Sequence, residues 1–343
     1  MKRPTQHDVA QLAGVSRATV SYVINGSAKR PIQISEDTRE KILQAAQHLG
    51  YEPDAAAQSL RSQMSRTVGV LIPDTFNPHY WEIVRGVEDS LQAEDYNLML
   101  MSTSLSPERE CSALRTLLRR RVDGLVLALT YFDREQHEIQ TIIRRRSPVV
   151  LLGGPVDELD SVYPEDQTGG GELYRHLREL GHCRIGLVYG VAQPRMGAGR
   201  LDLYRRFIAQ TAPELGDALI EICGTSIHDG CEAAQRLLGR DPRPTAIVVI
   251  NDLLAMGVMH AAVQAGLRIP ADLSVVGHDD TDQAPYLNPS LTTVKMHAEE
   301  MGRAAARLLF ERMLNPDRPP QHIAIPTLLI RRNSTGPAPT QDQ

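Results

Sequence analysis

The sequence predicts a small all-α head carrying a helix-turn-helix, followed by an α/β core of two doubly wound parallel-sheet lobes. Three observations lead there. From Thr67 onward, short apolar runs alternate with amphipathic stretches, the pattern of strands buried on both faces between helices. Between Thr5 and Asn25, two short helical segments are separated by Ala13-Gly14-Val15-Ser16. A length of 343 residues with 42% hydrophobic content suits a small head plus a large body.

In the head, Thr5 is a helix cap with Asp8 three residues on, a short capping box. Val9, Ala10, Leu12 and Ala13 give an apolar face, and Gly14 breaks the helix. Ser16 caps a second helix running to about Ile24, which Asn25-Gly26-Ser27 ends with turn chemistry. Val9, Leu12, Val15 and Val20 are expected to pack the two helices together. After a basic loop, Lys29-Arg30-Pro31, Ser35 opens a third helix with Ile42, Ala45, Ala46 and Leu49 at helical spacing, closed by Gly50. Pro53-Asp54 leads into Ala55–Arg61, about two helical turns, too short to be stable alone.

In the core, strands are expected at Val68–Ile72, Asn97–Met101, Gly124–Ala128, Val149–Leu152, Arg184–Tyr189, Ala218–Ile222, Ala246–Ile250, Leu273–Val276, Leu291–Met296 and Ile323–Ile330. Helices are expected near 79–94, 108–121, 134–146, 169–180, 199–210, 229–239, 252–265 and 298–314. The resulting divisions are a head over 1–52, a hinge and linker over 53–66, a core over 67–336 and a polar tail over 337–343. Lobe 1 takes about 67–165 plus 297–323, and lobe 2 about 166–293 plus 324–336.

Charge is asymmetric. Residues 1–66 carry nine basic and six acidic side chains, so the head is +3 and the remainder −8 in a chain of net −5. Such asymmetry is a weak cue for nucleic-acid contact. Aromatics at 4% argue against a stacking platform for nucleic acid. Cys111, Cys183, Cys223 and Cys231 show no C-x-x-C spacing and read as free thiols of a reducing compartment. The start MKRPTQHDVA lacks a signal-peptide apolar stretch, and no run of about 18 apolar residues exists, so a soluble cytoplasmic protein is expected. No G-x-G-x-x-G follows the first strand and no nucleophilic Ser/His/Asp pattern stands out, so no cofactor and no enzyme activity are expected. His278-Asp279-Asp280 with Asp282 lacks a second ligand cluster, so no metal is expected either.

The chain resembles the LacI/GalR repressor family. The likeness rests on Asp8-Val9-Ala10, Ala13-Gly14-Val15-Ser16, Thr19-Val20-Ser21 and Asn25 in the head, and on Gly50-Tyr51-Glu52-Pro53 and Ala57–Arg61 in the hinge. It continues in order through Val68-Gly69-Val70, Asn77-Pro78, Arg85-Gly86, Gly181-His182, Gly199-Arg200, Asn251-Asp252, Leu291–Val294 and Ser334-Thr335-Gly336. The resemblance implies a periplasmic-binding-protein-like core and a homodimer on a pseudo-palindromic double-stranded DNA operator.

By position, it makes Arg17, Ala18 and Tyr22 the base readers; the Arg17 fork suits guanine O6 and N7. Thr5, Ser16, Thr19, Ser21 and Asn25 are implied to fix the head on phosphates or cap helices. Leu60 is implied to wedge into the central base step of the minor groove, with Ala57 against the groove floor. For the core it implies a small-molecule effector between the lobes, touched by Asp74, Asn77, Tyr80 and Trp81 from lobe 1 and Arg200, Asn251 and Asp279 from lobe 2. Pro194 and Met196 replace the polar pair of purine-sensing members, which argues against a purine effector; a sugar or related polyol is the family default that the resemblance implies. Met296, Ala298 and Gly153-Gly154 also depart from residues that many members carry.

Overall fold

A computed structural model describes residues 4–25, 34–52, 64–131, 133, 135–190 and 198–339. The expected hinge helix, with Ala57 and Leu60, lies outside these residues, as do the 26–33 loop and the 191–197 segment holding Pro194 and Met196. The chain divides into two compact units, Met1–Ser65 and Arg66–Gln343.

The head has three helices among its described residues: α1 (Gln6–Ala13), α2 (Arg17–Asn25) and α3 (Glu36–Leu49). The capping box at α1 is present: the Thr5 amide donates to Asp8 Oδ2 at 2.7 Å, and the Asp8 amide donates to Thr5 Oγ1 at 3.4 Å. Gly14 ends α1 with φ +66°, a left-handed conformation that disfavours any residue with a Cβ. The Thr19 amide donates to Ser16 Oγ at 3.1 Å, capping α2. Val9, Ala10, Val20, Ile42 and Ala45 form the buried core, with Ala13, Val15, Ala46 and Leu49 packed against it. Leu12 departs from expectation at 53% exposure. At about 100° per residue, the arc set by Val9, Ala10 and Ala13 turns Leu12 away from the core.

The core unit holds two six-stranded sheets. The first runs β2 (Asn97–Ser102), β1 (Thr67–Ile72), β3 (Gly124–Leu127), β4 (Val149–Leu152), β5 (Asp160–Glu165), β11 (His322–Pro326), all parallel. The second runs β7 (Ile220–Cys223), β6 (Ile185–Gly190), β8 (Ala246–Val249), β9 (Ser274–Asp279), β10 (Thr292–Lys295), β12 (Leu328–Ile330), with β12 antiparallel to β10. Helices α4 (Pro78–Ala93), α5 (Pro107–Arg119), α6 (His137–Arg145) and α11 (Ala298–Leu314) cover the first sheet. Helices α7 (Asp166–Glu179), α8 (Ala198–Thr211), α9 (Ile227–Leu238) and α10 (Asp252–Gln264) cover the second. The β1, β4 and β8 runs are buried almost throughout, as strands enclosed on both faces must be.

The chain passes between lobes three times: from β5 into α7, from β10 into α11, and from β11 into β12. The expected single strand Ile323–Ile330 is therefore two, and lobe 1 keeps the chain through Pro326 rather than Ile323. Thr327 is the join. Its hydroxyl donates to the Glu165 carbonyl at 2.7 Å and accepts from the Gly169 amide at 2.9 Å, tying the first crossover to the third. β5 was not expected. Its sequence, DSVYPE, hides a strand behind a buried aspartate and a proline.

The return helix α11 crosses α4 at backbone contact. A Cβ on Gly302 would lie 2.1 Å from the Ile83 carbonyl oxygen, and one on Gly86 would lie 2.0 Å from the Glu299 carbonyl oxygen. Neither obstacle is a side-chain end that can swing away. Gly302→Ala is expected to cost about 1–3 kcal/mol, read as a lower urea midpoint at constant m. An unchanged midpoint would show that the crossing is loose.

Candidate ligand cleft and DNA-contacting head

Both sheets have the strand order 2-1-3-4-5 of open doubly wound folds, which receive ligands beyond the carboxyl ends of their strands. Four of the seven expected cleft residues lie at or just past such ends or cap the next helix, and a fifth, Tyr80, follows one of those caps. Asp74 and Asn77 follow β1, Asn251 follows β8, Asp279 ends β9, and Tyr80 stands in the first turn of α4.

Asn77 is the N-cap of α4, its Oδ1 accepting from the His79 amide at 3.0 Å. That leaves its Nδ2 to donate across the lobes to Asp279 Oδ2 at 3.4 Å. Asp279 is buried and sits at φ +110°, where residues with a Cβ rarely go, followed by Asp280 at +59°. Strain of this kind persists only where the surroundings impose it. Here the Asp279 carbonyl accepts from the Met296 amide at 3.4 Å. The Arg200 guanidinium lies nearby, donating from Nη1 to the Ile250 carbonyl at 2.7 Å, from Nε to Asp166 Oδ1 at 3.5 Å and from Nη2 to Met296 Sδ at 3.7 Å. Asp74 is buried and accepts from the Phe76 amide at 2.8 Å.

Burial governs the electrostatics. It pushes the Asp279 carboxyl up to about 7 against the pull of Arg200 and the Asn77 hydrogen bond. It drives the Tyr80 phenol up, with Asp279 adding to the rise. His79 and His278 are each pushed down to about 3, by burial first and Arg200 second, and stay neutral at physiological pH. His79 Nδ1 stands 3.6 Å from Asp279 Oδ1, so with a neutral ring this is no ion pair. Among the described residues that buried nitrogen has no hydrogen-bond partner. Glu82, one turn along α4, rises to about 7 through burial and the charges of Asp282 and Asp279.

The structure brings Asn77, Tyr80, Asp279 and Arg200 together, with Asp74 close enough to act on the Tyr80 phenol. Asn251 is committed differently: its Oδ1 caps α10, accepting from the Leu254 amide at 2.8 Å. Trp81 is tethered by its indole N–H to the Thr75 carbonyl at 2.9 Å and is 43% exposed.

Sequence reading missed His79, Asp166 and Asp252. Asp166 opens the crossover helix and holds Arg200. Asp252 is buried and accepts from the Thr281 amide at 2.9 Å and from Thr293 Oγ1 at 2.6 Å, fastening β9 and β10 to the start of α10. A signal was available for Asp252, because acidic residues favour the first turn of a helix.

In the head, Arg17 and Ala18 are exposed on α2 and Tyr22 is half-buried, while Val20 is buried. Thr5 is exposed and spent in its capping box. The Ser16 and Thr19 hydroxyls are 2.8 Å apart, each with further hydrogen-bonding capacity. Ser21 is half-buried, and Asn25 ends α2.

Two family models match this chain: bacterial regulatory proteins of the lacI family over residues 5–54, and the periplasmic binding protein-like domain over residues 174–335. The ribose operon repressor of Haemophilus influenzae is 34% identical, over 96% of this chain and 98% of its own length. The HTH-type transcriptional repressor PurR of H. influenzae strain PittEE is 30% identical, over 96% of this chain and 98% of its own. Among solved structures, a lac repressor dimer bound to operator and an anti-inducer matches with TM-score 0.87 and 27% identity, covering 98% of this chain and all of that one. A transcriptional regulator CelR–cellobiose complex matches with TM-score 0.71 and 31% identity, over 97% of this chain and all of that one. A regulator from Enterococcus faecium with bound ribose matches with TM-score 0.70 and 29% identity, over 79% of this chain and 99% of that one.

Proposed function

This chain belongs to the LacI family of bacterial regulatory proteins, and from that premise we propose that it is a cytoplasmic transcriptional repressor, not an enzyme, whose grip on its operator is set by a small sugar bound between the core lobes. The observation that carries the effector reading is Asp279, a buried carboxylate in strained backbone, hydrogen-bonded from the opposite lobe and close to Arg200. Such a carboxylate accepts from vicinal hydroxyls, and Asn77, Arg200 and the unpartnered His79 Nδ1 serve the remaining oxygens. Asp74 and Tyr80 stand close enough to interact beside them, and Trp81 and Asn251 are assigned to the same cleft by their positions in the family likeness. The ribose- and cellobiose-bound neighbours support a polyol; a nucleobase, the class sensed by the purine-sensing members of the family, is the competing reading.

Homodimerisation is supported by exposed apolar side chains on three elements of lobe 2: Ile222 on the edge strand β7, Ile227 at the start of α9, and Val263 on α10. A second copy covers such a face and presents two heads to the half-sites of a pseudo-palindrome. Within each head Arg17, Ala18 and Tyr22 read bases, while Thr5, Ser16, Thr19, Ser21 and Asn25 hold phosphates or caps; Ala57 and Leu60 carry the minor-groove contact. Effector binding shifts the lobes about their three crossovers, and that shift changes the affinity of the hinges for DNA.

A thermal melt of the full chain with D-ribose, cellobiose and hypoxanthine tests the effector class. A sugar at 100 times its Kd is expected to add about 2.7 kcal/mol to core stability; a shift with hypoxanthine and none with either sugar would overturn the reading. Arg17→Ala is expected to relax specificity at one base pair per half-site, at about 1–3 kcal/mol. Uniform weakening on all sequences, with a shallower salt slope, would reassign Arg17 to a phosphate.

A further inference from the structure

Helices α7 and α8 enclose a second concavity, on the outer layer of lobe 2. It has a volume of about 240 Å³ and is lined by Gly171, Tyr174, Arg175, Arg178, Leu203, Arg206, Phe207 and Gln210. Its floor is apolar: Leu203 is buried, and the rings of Tyr174 and Phe207 are stacked with centroids 5.1 Å apart. Its rim is cationic. Arg175 and Arg178 stand on exposed positions of α7, and Arg206 faces them from α8.

Other exposed arginines, among them Arg119 and Arg307, also lack an ion pair among the described residues, but these three converge on one concavity, whereas several surface arginines are neutralised by a carboxylate. Arg115 pairs with Glu138, Arg205 with Asp217, Arg236 and Arg240 with Glu221, and Arg268 with Asp272. Neither Arg175 nor Arg178 has an ion-pair partner among the described residues. Among the described residues Arg206 meets only neutral oxygens, donating to Gln167 Oε1 at 2.9 Å and to the Asp202 carbonyl at 3.4 Å. The nearby Glu172 carboxylate is engaged elsewhere, accepting from the Leu329 amide at 3.4 Å.

Guanidinium groups on two facing helices, over an apolar floor, match the chemistry of a phosphate monoester: the forks hold the dianion and the floor takes the body of the ester. The volume falls below the range of about 300–1,000 Å³ that suits drug-sized ligands, which favours a compact metabolite. We propose that this groove is a second ligand site, taking a small phosphate monoester between Arg175 and Arg178 of α7 and Arg206 of α8. It goes beyond the cleft reading and does not rest on it. Arg206, the anion contact on this helix, lies six residues past Arg200, about 9 Å of rise from the cleft residue. The two sites nevertheless share elements, because the Asp166–Arg200 pair joins the first turns of the same two helices. A ligand bridging α7 and α8 therefore acts on the framework of the cleft.

Calorimetric titration of the full chain with phenyl phosphate, at low salt, tests the site; the ester has no sugar hydroxyls with which to occupy the cleft. Saturable binding is expected, weakened by about tenfold or more in Arg175→Ala/Arg178→Ala, with charge-assisted hydrogen bonds lost from two of three forks. Both positions are exposed, and an unchanged urea midpoint in the double variant serves as the control for folding. The proposal is overturned by no saturable binding up to about 10 mM, by equal affinity in the double variant, or by inorganic phosphate binding as tightly as the ester, which would mark an adventitious ion only.

Discussion

Asp160→Ala is expected to cost about 3–5 kcal/mol of stability, the range for removing one partner from a buried ion pair. The Asp160 side chain is fully enclosed at the start of β5. Its Oδ2 accepts from Arg312 Nε at 2.8 Å and Arg318 Nη2 at 2.9 Å, and its Oδ1 from Arg312 Nη2 at 3.0 Å, Arg318 Nη1 at 2.9 Å and the Gln321 amide at 2.8 Å. Without the carboxylate, two largely buried guanidiniums face each other and the 315–321 turn loses its anchor. Burial by itself would raise this carboxyl, but the hydrogen bonds from Arg312, the Gln321 amide and Arg318 outweigh it and hold it below the ordinary aspartate range. A depressed folded pKa means the unfolded chain binds more protons, so this contribution is present above about pH 4 and fades as pH falls further. Urea unfolding should show the midpoint drop with m unchanged. The triple replacement Asp160→Leu, Arg312→Met, Arg318→Met should recover most of the loss, because apolar isosteres remove the unpaired charges as well. A single variant as stable as the parent would mean water already solvates both arginines.

The same aspartate explains what the sequence hid. A strand is legible where its residues alternate or run apolar, as in Val68–Ile72 and Ala246–Ile250, and both lie where expected. β5 follows neither rule, since Asp160 is buried as an ion cluster and Pro164 occupies a ladder position beside Ile325. The Ile323–Ile330 run was legible as extended chain, but not its division at Thr327, which depends on hydrogen bonds to Glu165 and Gly169, over 150 residues earlier. Leu12 shows the limit in the head: with two turns of helix, one apolar residue more or less does not define a face. At the cleft, Asn77, Tyr80, Arg200 and Asp279 came from resemblance by position, and these four do converge. His79 and Asp166 did not, because their importance lies in partners supplied by the other lobe and the next helix. Neither partner is visible at any fixed sequence spacing.

Asp279→Asn is expected to weaken effector binding by about 2–5 kcal/mol, roughly thirtyfold to several thousandfold. Asparagine tolerates positive φ about as well as aspartate, so the backbone at +110° can remain and the change isolates the charge. The pH dependence is the sharper test. Burial raises the Asp279 carboxyl to about 7. A ligand hydroxyl donates best to the ionised form, so affinity should climb as pH rises through about 7 and level off above it. His79, pushed down to about 3, contributes no titration in that window. Glu82, raised to about 7, titrates beside it, so Glu82→Gln separates the two. In Asp279→Asn the slope should vanish, whereas in Glu82→Gln it should persist. Stability of the unliganded core responds with the opposite sign from Asp160. The folded state holds this proton more tightly than the unfolded chain, so the contribution of Asp279 is full below about pH 4 and is lost as pH climbs toward 7. Ligand binding should offset that loss most strongly where Asp279 is ionised. Affinity for ribose or cellobiose within about twofold of the parent in Asp279→Asn, with the same pH slope, would take this carboxylate out of the site.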